Sequence, residues 1–144
     1  MATAIHVLEE YALDFVGWIQ SALSVNVTWE QFHIVNIAVV LFAVCGAMIG
    51  WRLPEVSLIT PALVIINAIF FHIGCTVVLW RYSPGAITSA LLFIPVGIWA
   101  YYGAYRDGVL TRRAIFLSLL GGVLWHVYLL LLFPIKDYLL KGRA

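Results

Sequence analysis

The sequence predicts an all-α integral membrane protein of one domain, with four transmembrane helices and an N-terminal amphipathic or re-entrant helix carrying His6, Glu9 and Glu10. Three observations predict it. Hydrophobic residues fill 64% of the 144 positions and charged residues only 10%, whereas a soluble domain is about half apolar and about a quarter charged. The apolar residues gather into four runs, each near the roughly 20 residues that a helix needs to cross a bilayer. The runs end in aromatic and basic residues, the usual punctuation of membrane interfaces.

The elements follow in order. Thr3 can cap a helix. Behind it, His6, Glu9, Glu10 and Asp14 form a polar stripe opposite Val7, Leu8, Tyr11, Phe15 and Trp18. This pattern predicts an amphipathic helix over 3–20, lying in the interface or dipping into the bundle. The crossings are predicted at about 33–51, 57–80, 84–105 and 111–133. Trp51, Trp80, Tyr82, Tyr101, Tyr102 and Tyr105 suit aromatic belts, while Arg52, Arg81, Arg106, Arg112 and Arg113 suit short loops. Pro84-Gly85 reads as a turn before a helix start. Pro61 and Pro95 read as kinks.

Several classes are excluded or left open. A net charge of +1 gives no case for a nucleic-acid partner. Cys45 and Cys75 lie inside apolar runs and do not suggest a disulfide. No Lys or Arg precedes the first apolar run, so the basic region of a cleaved signal peptide is missing. With four crossings, the N-terminal helix, the loop at Arg81 and the C-terminal tail share one side. Basic residues balance between the two sides and fix no orientation. We favour the N-terminal side as cytoplasmic, since an acidic amphipathic segment then needs no translocation. The expected location is the bacterial inner membrane, with the lipid bilayer as the first partner. Gly46 with Gly50, and Ala100 with Ala104, are spaced for close helix contact and could support a homodimer.

The polar residues converge on that same side. His6, Glu9 and Glu10 stand at i, i+3 and i+4, so one helical face carries all three. His72 lies eight residues before Trp80, about 12 Å from its helix end, and His126 about 10 Å from its own. Imidazoles and carboxylates so placed are costly near lipid without a partner. His6, Glu10, His72 and His126 are the candidate metal ligands, and Glu9, Glu10, His72 and His126 the candidate catalytic groups. Asn36, Asn67 and Thr88 are candidate supporting residues. His33, at a helix end, and Asp14, on a wet face, read as structural.

At this point the chain resembles a known family. His6-Val7-Leu8-Glu9-Glu10 resembles the motif that names the HXXEE family of small membrane proteins, and Asn67 to His72, Tyr82-Ser83-Pro84-Gly85 and Thr88 are similar to its pattern. The resemblance covers most of the chain. It carries no established activity, so it sharpens the site and leaves the reaction open. Membrane di-iron hydroxylases need more histidines than this chain's four. Glutamate-type intramembrane proteases place an Arg after their Glu pair, where this chain has Tyr11.

Three functions compete. The favoured one is a metal-dependent membrane enzyme acting on a lipidic or other hydrophobic small molecule. Imidazole and carboxylate suit zinc or iron, and three protein ligands leave one position open for chemistry. Glu9 or Glu10 would be the fourth ligand or the base. The first alternative is a metal-free acid/base enzyme, an isomerase or cyclase of isoprenoid or sterol-like lipids, because adjacent buried carboxylates do not both ionise easily. The second is a small transporter or a non-catalytic membrane subunit.

Overall fold

The computed structural model of the chain is all-helical among the residues it describes, 1–141; for residue 130 and residues 132–141 only the backbone is described. The chain begins with two short helices, α1 (Ala2–Ala12) and α2 (Phe15–Leu23). In place of a single helix over 3–20, the chain breaks at Asp14. That residue takes a left-handed φ of 50°, a conformation Asp tolerates better than most. Its carboxylate caps α2 by accepting the Gly17 amide at 3.1 Å, which is the role a short acidic side chain fills best.

Three helices are long and apolar enough to cross a membrane, among the described residues. α3 (Trp29–Ile49) starts at a capping box, with Thr28 accepting from the Gln31 amide and Gln31 accepting from the Thr28 amide. It ends where Gly50 turns to a positive φ. α4 (Pro54–Leu79) opens on a proline, whose missing N–H costs nothing in a first turn. α5 (Ala86–Arg106) follows the Pro84-Gly85 turn. The fourth expected crossing, 111–133, coincides with a helix, α6 (Arg112–Lys141), whose side chains at 130 and from 132 lie outside the described residues. Among the described residues, three helices and not four have the length and apolar composition of a membrane span.

α4 and α5 each carry a wide, π-helical stretch, at Asn67–Gly74 and Ser89–Phe93. Such stretches often sit at functional sites because the extra residue per turn re-aims the side chains within it. The second precedes Pro95, whose ring would clash with the carbonyl four residues back in a regular helix. The first brings the Ile69 carbonyl so close to Gly74 that a Cβ there would lie 2.7 Å away. His72 stands inside this stretch.

Packing is closest around the Ile59–Ile66 part of α4, which lies against α5 and α6. Leu58, Ala104 and Ala114 meet there with no exposure. A second cluster, Val39, Leu63, Val64, Ala68 and Phe93, joins α3, α4 and α5. α1 lies across the start of α5 and closes that end of the bundle. The outer faces stay apolar. Ile34, Ile37, Leu41, Val44 and Met48 form an exposed stripe along α3.

Candidate metal centre

α1 presents His6 and Glu10 one turn apart on its inner face, and both are buried, at 2% and 4% exposure. His72 of α4, at 1%, lies opposite them. Nε2 of His6 and Nε2 of His72 stand 3.6 and 3.5 Å from the same Glu10 oxygen. One ligand atom from each of the three residues falls within 4.8 Å of the other two. Ligands held about 2.1 Å from a tetrahedral zinc lie about 3.4 Å apart, so the two glutamate–histidine spacings fit such an ion. Nε2 of His6 is buried without a hydrogen-bond partner, a state native structures seldom leave unexplained.

The outer nitrogens explain how the rings are aimed. Nδ1 of His72 lies 2.8 Å from the Pro84 carbonyl. A carbonyl only accepts, so the proton sits on Nδ1 and the Nε2 lone pair faces Glu10. Nδ1 of His6 lies 2.8 Å from the Thr88 hydroxyl, which in turn donates to the Gly85 carbonyl at 3.3 Å. His6 is thereby set in the same tautomer. A ring whose second nitrogen is fixed in this way is the usual outer support of a metal-binding histidine.

The Tyr82-Ser83-Pro84-Gly85 turn builds one wall. Ser83 is fully buried, and its amide donates to the Thr76 hydroxyl at 3.0 Å. That hydroxyl donates to the His72 carbonyl at 2.8 Å. Gly85, with a φ of +93°, passes between the two imidazoles; a Cβ there would stand 2.8 Å from Cε1 of both His6 and His72. Only glycine meets both the backbone angle and the space.

Glu9 faces another way. Its carboxylate accepts the amides of Gly85, Ile87 and Thr88 at 3.1, 3.3 and 2.8 Å, and the hydroxyl of Tyr82. These are the free N–H groups at the start of α5, where negative charge is favoured. Burial opposes ionisation of Glu9, but the bonds from Thr88, Tyr82 and the backbone outweigh it and hold the carboxyl at about 2. Burial, then the hydrogen bond to Glu9, push Tyr82 up to about 12. For Glu10, burial pushes the carboxyl up, against the hydrogen bond and charge of His6.

The remaining candidates divide. Thr88 supports His6, as above. His126 lies outside the three-residue group. Its Nδ1–H donates to the Gly122 carbonyl at 2.8 Å, and its ring stacks on Phe71 at 4.8 Å. His126, Asn36 and Asn67 line a cavity of about 170 Å³ that also touches His6, Glu10 and His72. Asn36 is tied to the Phe32 carbonyl at 3.0 Å. His33 bonds its own helix at the Trp29 carbonyl. Sequence reasoning passed over Tyr82, Ser83, Pro84 and Gly85 as site residues. Their clustering of a glycine, a proline and a hydroxyl residue just before Thr88 was the available signal.

A family model described as "Protein of unknown function with HXXEE motif" matches residues 1–100. The chain belongs to the HXXEE family. Its motif residues are His6, Glu9 and Glu10. The chain is also 30% identical over 145 residues to "Uncharacterized protein YrkK" of Bacillus subtilis (strain 168), covering 94% of this chain and 91% of that protein. No solved structure matches. The geometry gives the family's motif a division of labour. His6 and Glu10 turn towards His72, and Glu9 fastens the helix that carries them.

Proposed function

We propose that this HXXEE protein is an integral membrane protein of the bacterial inner membrane, and that His6, Glu10 and His72 hold a zinc or iron ion at the heart of a metal-dependent enzyme for apolar substrates. One observation carries the metal reading: three buried ligand atoms converge, and both histidines have their outer nitrogen fixed so that the inner lone pair is free. The membrane reading rests on the continuous apolar stripe of α3, whose Met48 is 80% exposed. A surface of that kind is stable against lipid, not water.

Two histidines and a carboxylate leave coordination positions open, and a metal in such a site polarises an oxygen or acidifies a bound water. The protein's own share is different. His6, Glu10 and His72 supply charge and aim. Phe15 and Phe93, at 5.7 and 4.1 Å from the rings of His72 and His6, keep the site apolar. The fourth helix, α6, adds His126 to the cavity wall and completes a four-helix bundle in the bilayer.

Elemental analysis of the protein purified in detergent tests this reading. Wild type should carry close to one equivalent of metal, and His6→Gln, Glu10→Gln and His72→Gln should each lose it. Metal-free wild-type protein that cannot be reconstituted would overturn it. That outcome would favour metal-free acid/base chemistry, for which the raised Glu10 carboxyl beside two imidazole lone pairs is the supporting observation.

A further inference from the structure

We propose that the cavity beside the metal triad takes one compact hydrocarbon group of about six carbons, attached to an oxygen-bearing head that meets the triad. This deepens the metal-enzyme reading and rests on it.

The cavity measures about 170 Å³. Sites for drug-sized ligands run to about 300–1,000 Å³, whereas an apolar cavity of about 150 Å³ stays dry and accepts benzene or xenon. A sterol or a whole lipid therefore does not fit, and a group of benzene size does. The lining is aliphatic and aromatic, with Val27, Val35, Phe71 and Leu129 among its walls. Its polar lining is the triad together with Thr3, Asn36, Asn67 and His126, and within the triad His6 Nε2 has no partner within the protein. A ligand that is apolar over most of its length and polar at one end satisfies both surfaces at once. α1 and α2 cover the cavity on one side, with Phe15, Ile19 and Leu23 of α2 facing in. The hydrocarbon is thus covered by the chain on that side.

A series of straight-chain alkyl hydroxamic acids, from acetohydroxamic to lauroylhydroxamic acid, tests the proposal on zinc-loaded protein in nanodiscs by calorimetry. Affinity should rise about four-fold per added methylene while the chain is being buried. The rise should stop near six carbons and then reverse. Val35→Phe and Val27→Phe each narrow the cavity from a wall residue that is not one of the three proposed ligands. They should keep wild-type zinc content and shift the optimum to a shorter chain. An affinity that climbs through the whole series, equal in wild type and both variants, would overturn the proposal, since the chain would then lie in lipid. Xenon reads the same cavity without any metal. A bound ¹²⁹Xe resonance in wild type that disappears in the two variants supports the cavity's apolar capacity; its absence from wild type overturns it. Loss of zinc binding together with a retained xenon signal would instead strike the metal reading alone.

Discussion

The Thr88 amide donates to the Glu9 carboxylate at 2.8 Å, so the motif's first glutamate is bonded to the first turn of α5 and not to the triad formed by its neighbour Glu10. Adjacent residues on a helix point about 100° apart, which lets one pair of carboxylates serve two sites. Glu9 fastens α1 to the bundle, and this contact positions His6 and Glu10 against His72. Glu9→Gln keeps one acceptor oxygen but sets an NH₂ group against the helix amides. We expect it to weaken metal binding about 10- to 100-fold, the range for lost outer-shell partners, while Glu10→Gln loses the metal outright. Competition with a chromophoric chelator measures both. Wild-type affinity in Glu9→Gln would remove Glu9 from any positioning role.

Thr88 is bonded to both ends of this arrangement, through its amide to Glu9 and through its hydroxyl to His6 Nδ1. The hydroxyl can be removed at constant shape. Thr88→Val should lower metal affinity about tenfold or more, and Thr88→Ser should restore most of it, because serine keeps the acceptor that fixes the tautomer of His6. Wild-type affinity in Thr88→Val beside a loss in Thr88→Ser would mean that the methyl group matters and the hydroxyl does not.

Gly85 admits no side chain. Its φ of +93° is unfavourable for any L-residue, and a Cβ would stand 2.8 Å from both rings. Gly85→Ala adds strain of about 1–2 kcal/mol for the backbone and about 1–3 kcal/mol for overpacking. We expect the variant to lose metal binding while far-ultraviolet circular dichroism keeps most of its helical signal, since Gly85 caps the start of α5 and lies outside the length of either flanking helix. An alanine variant with wild-type metal content would show that the rings do not need their observed spacing.

How much of this was legible in the sequence depends on the range of the interaction. The i, i+4 spacing of His6 and Glu10 placed them on one face, and the apolar runs marked α3, α4 and α5. Local chemistry sufficed there. The break at Asp14 was missed because a continuous polar stripe hid a residue that caps a second helix by adopting a left-handed angle. The aim of His72 was not legible, because the wide turn at Asn67–Gly74 shifts side-chain directions away from regular periodicity. The pairing of Glu9 with Tyr82 and Gly85 spans more than seventy residues, and hydropathy carries no trace of such a contact. The expected membership of His126 in the ligand set rested on depth alone. Two residues at one depth on different helices need not meet.

His72 and His126 therefore separate two kinds of buried histidine. His72 directs Nε2 at Glu10, 3.5 Å away, with Nδ1 fixed by the Pro84 carbonyl. His126 spends its Nδ1 proton on its own helix, at the Gly122 carbonyl, and its ring on Phe71. Replacing His72 by Gln removes a proposed ligand whose lone pair no amide reproduces in strength or direction, so metal content should fall to background. Replacing His126 by Gln removes a stacked pair worth about 0.5–1.5 kcal/mol. Metal content should then stay at the wild-type level, with a modest loss of thermal stability. Chelation sharpens the contrast. A metal bound to the folded state at 100 times its Kd stabilises that state by about 2.7 kcal/mol. Adding EDTA should therefore lower the melting temperature of wild type and of His126→Gln, and leave His72→Gln unchanged. A His126→Gln protein that has lost its metal and no longer responds to EDTA would place His126 among the ligands and reopen the geometry of the site.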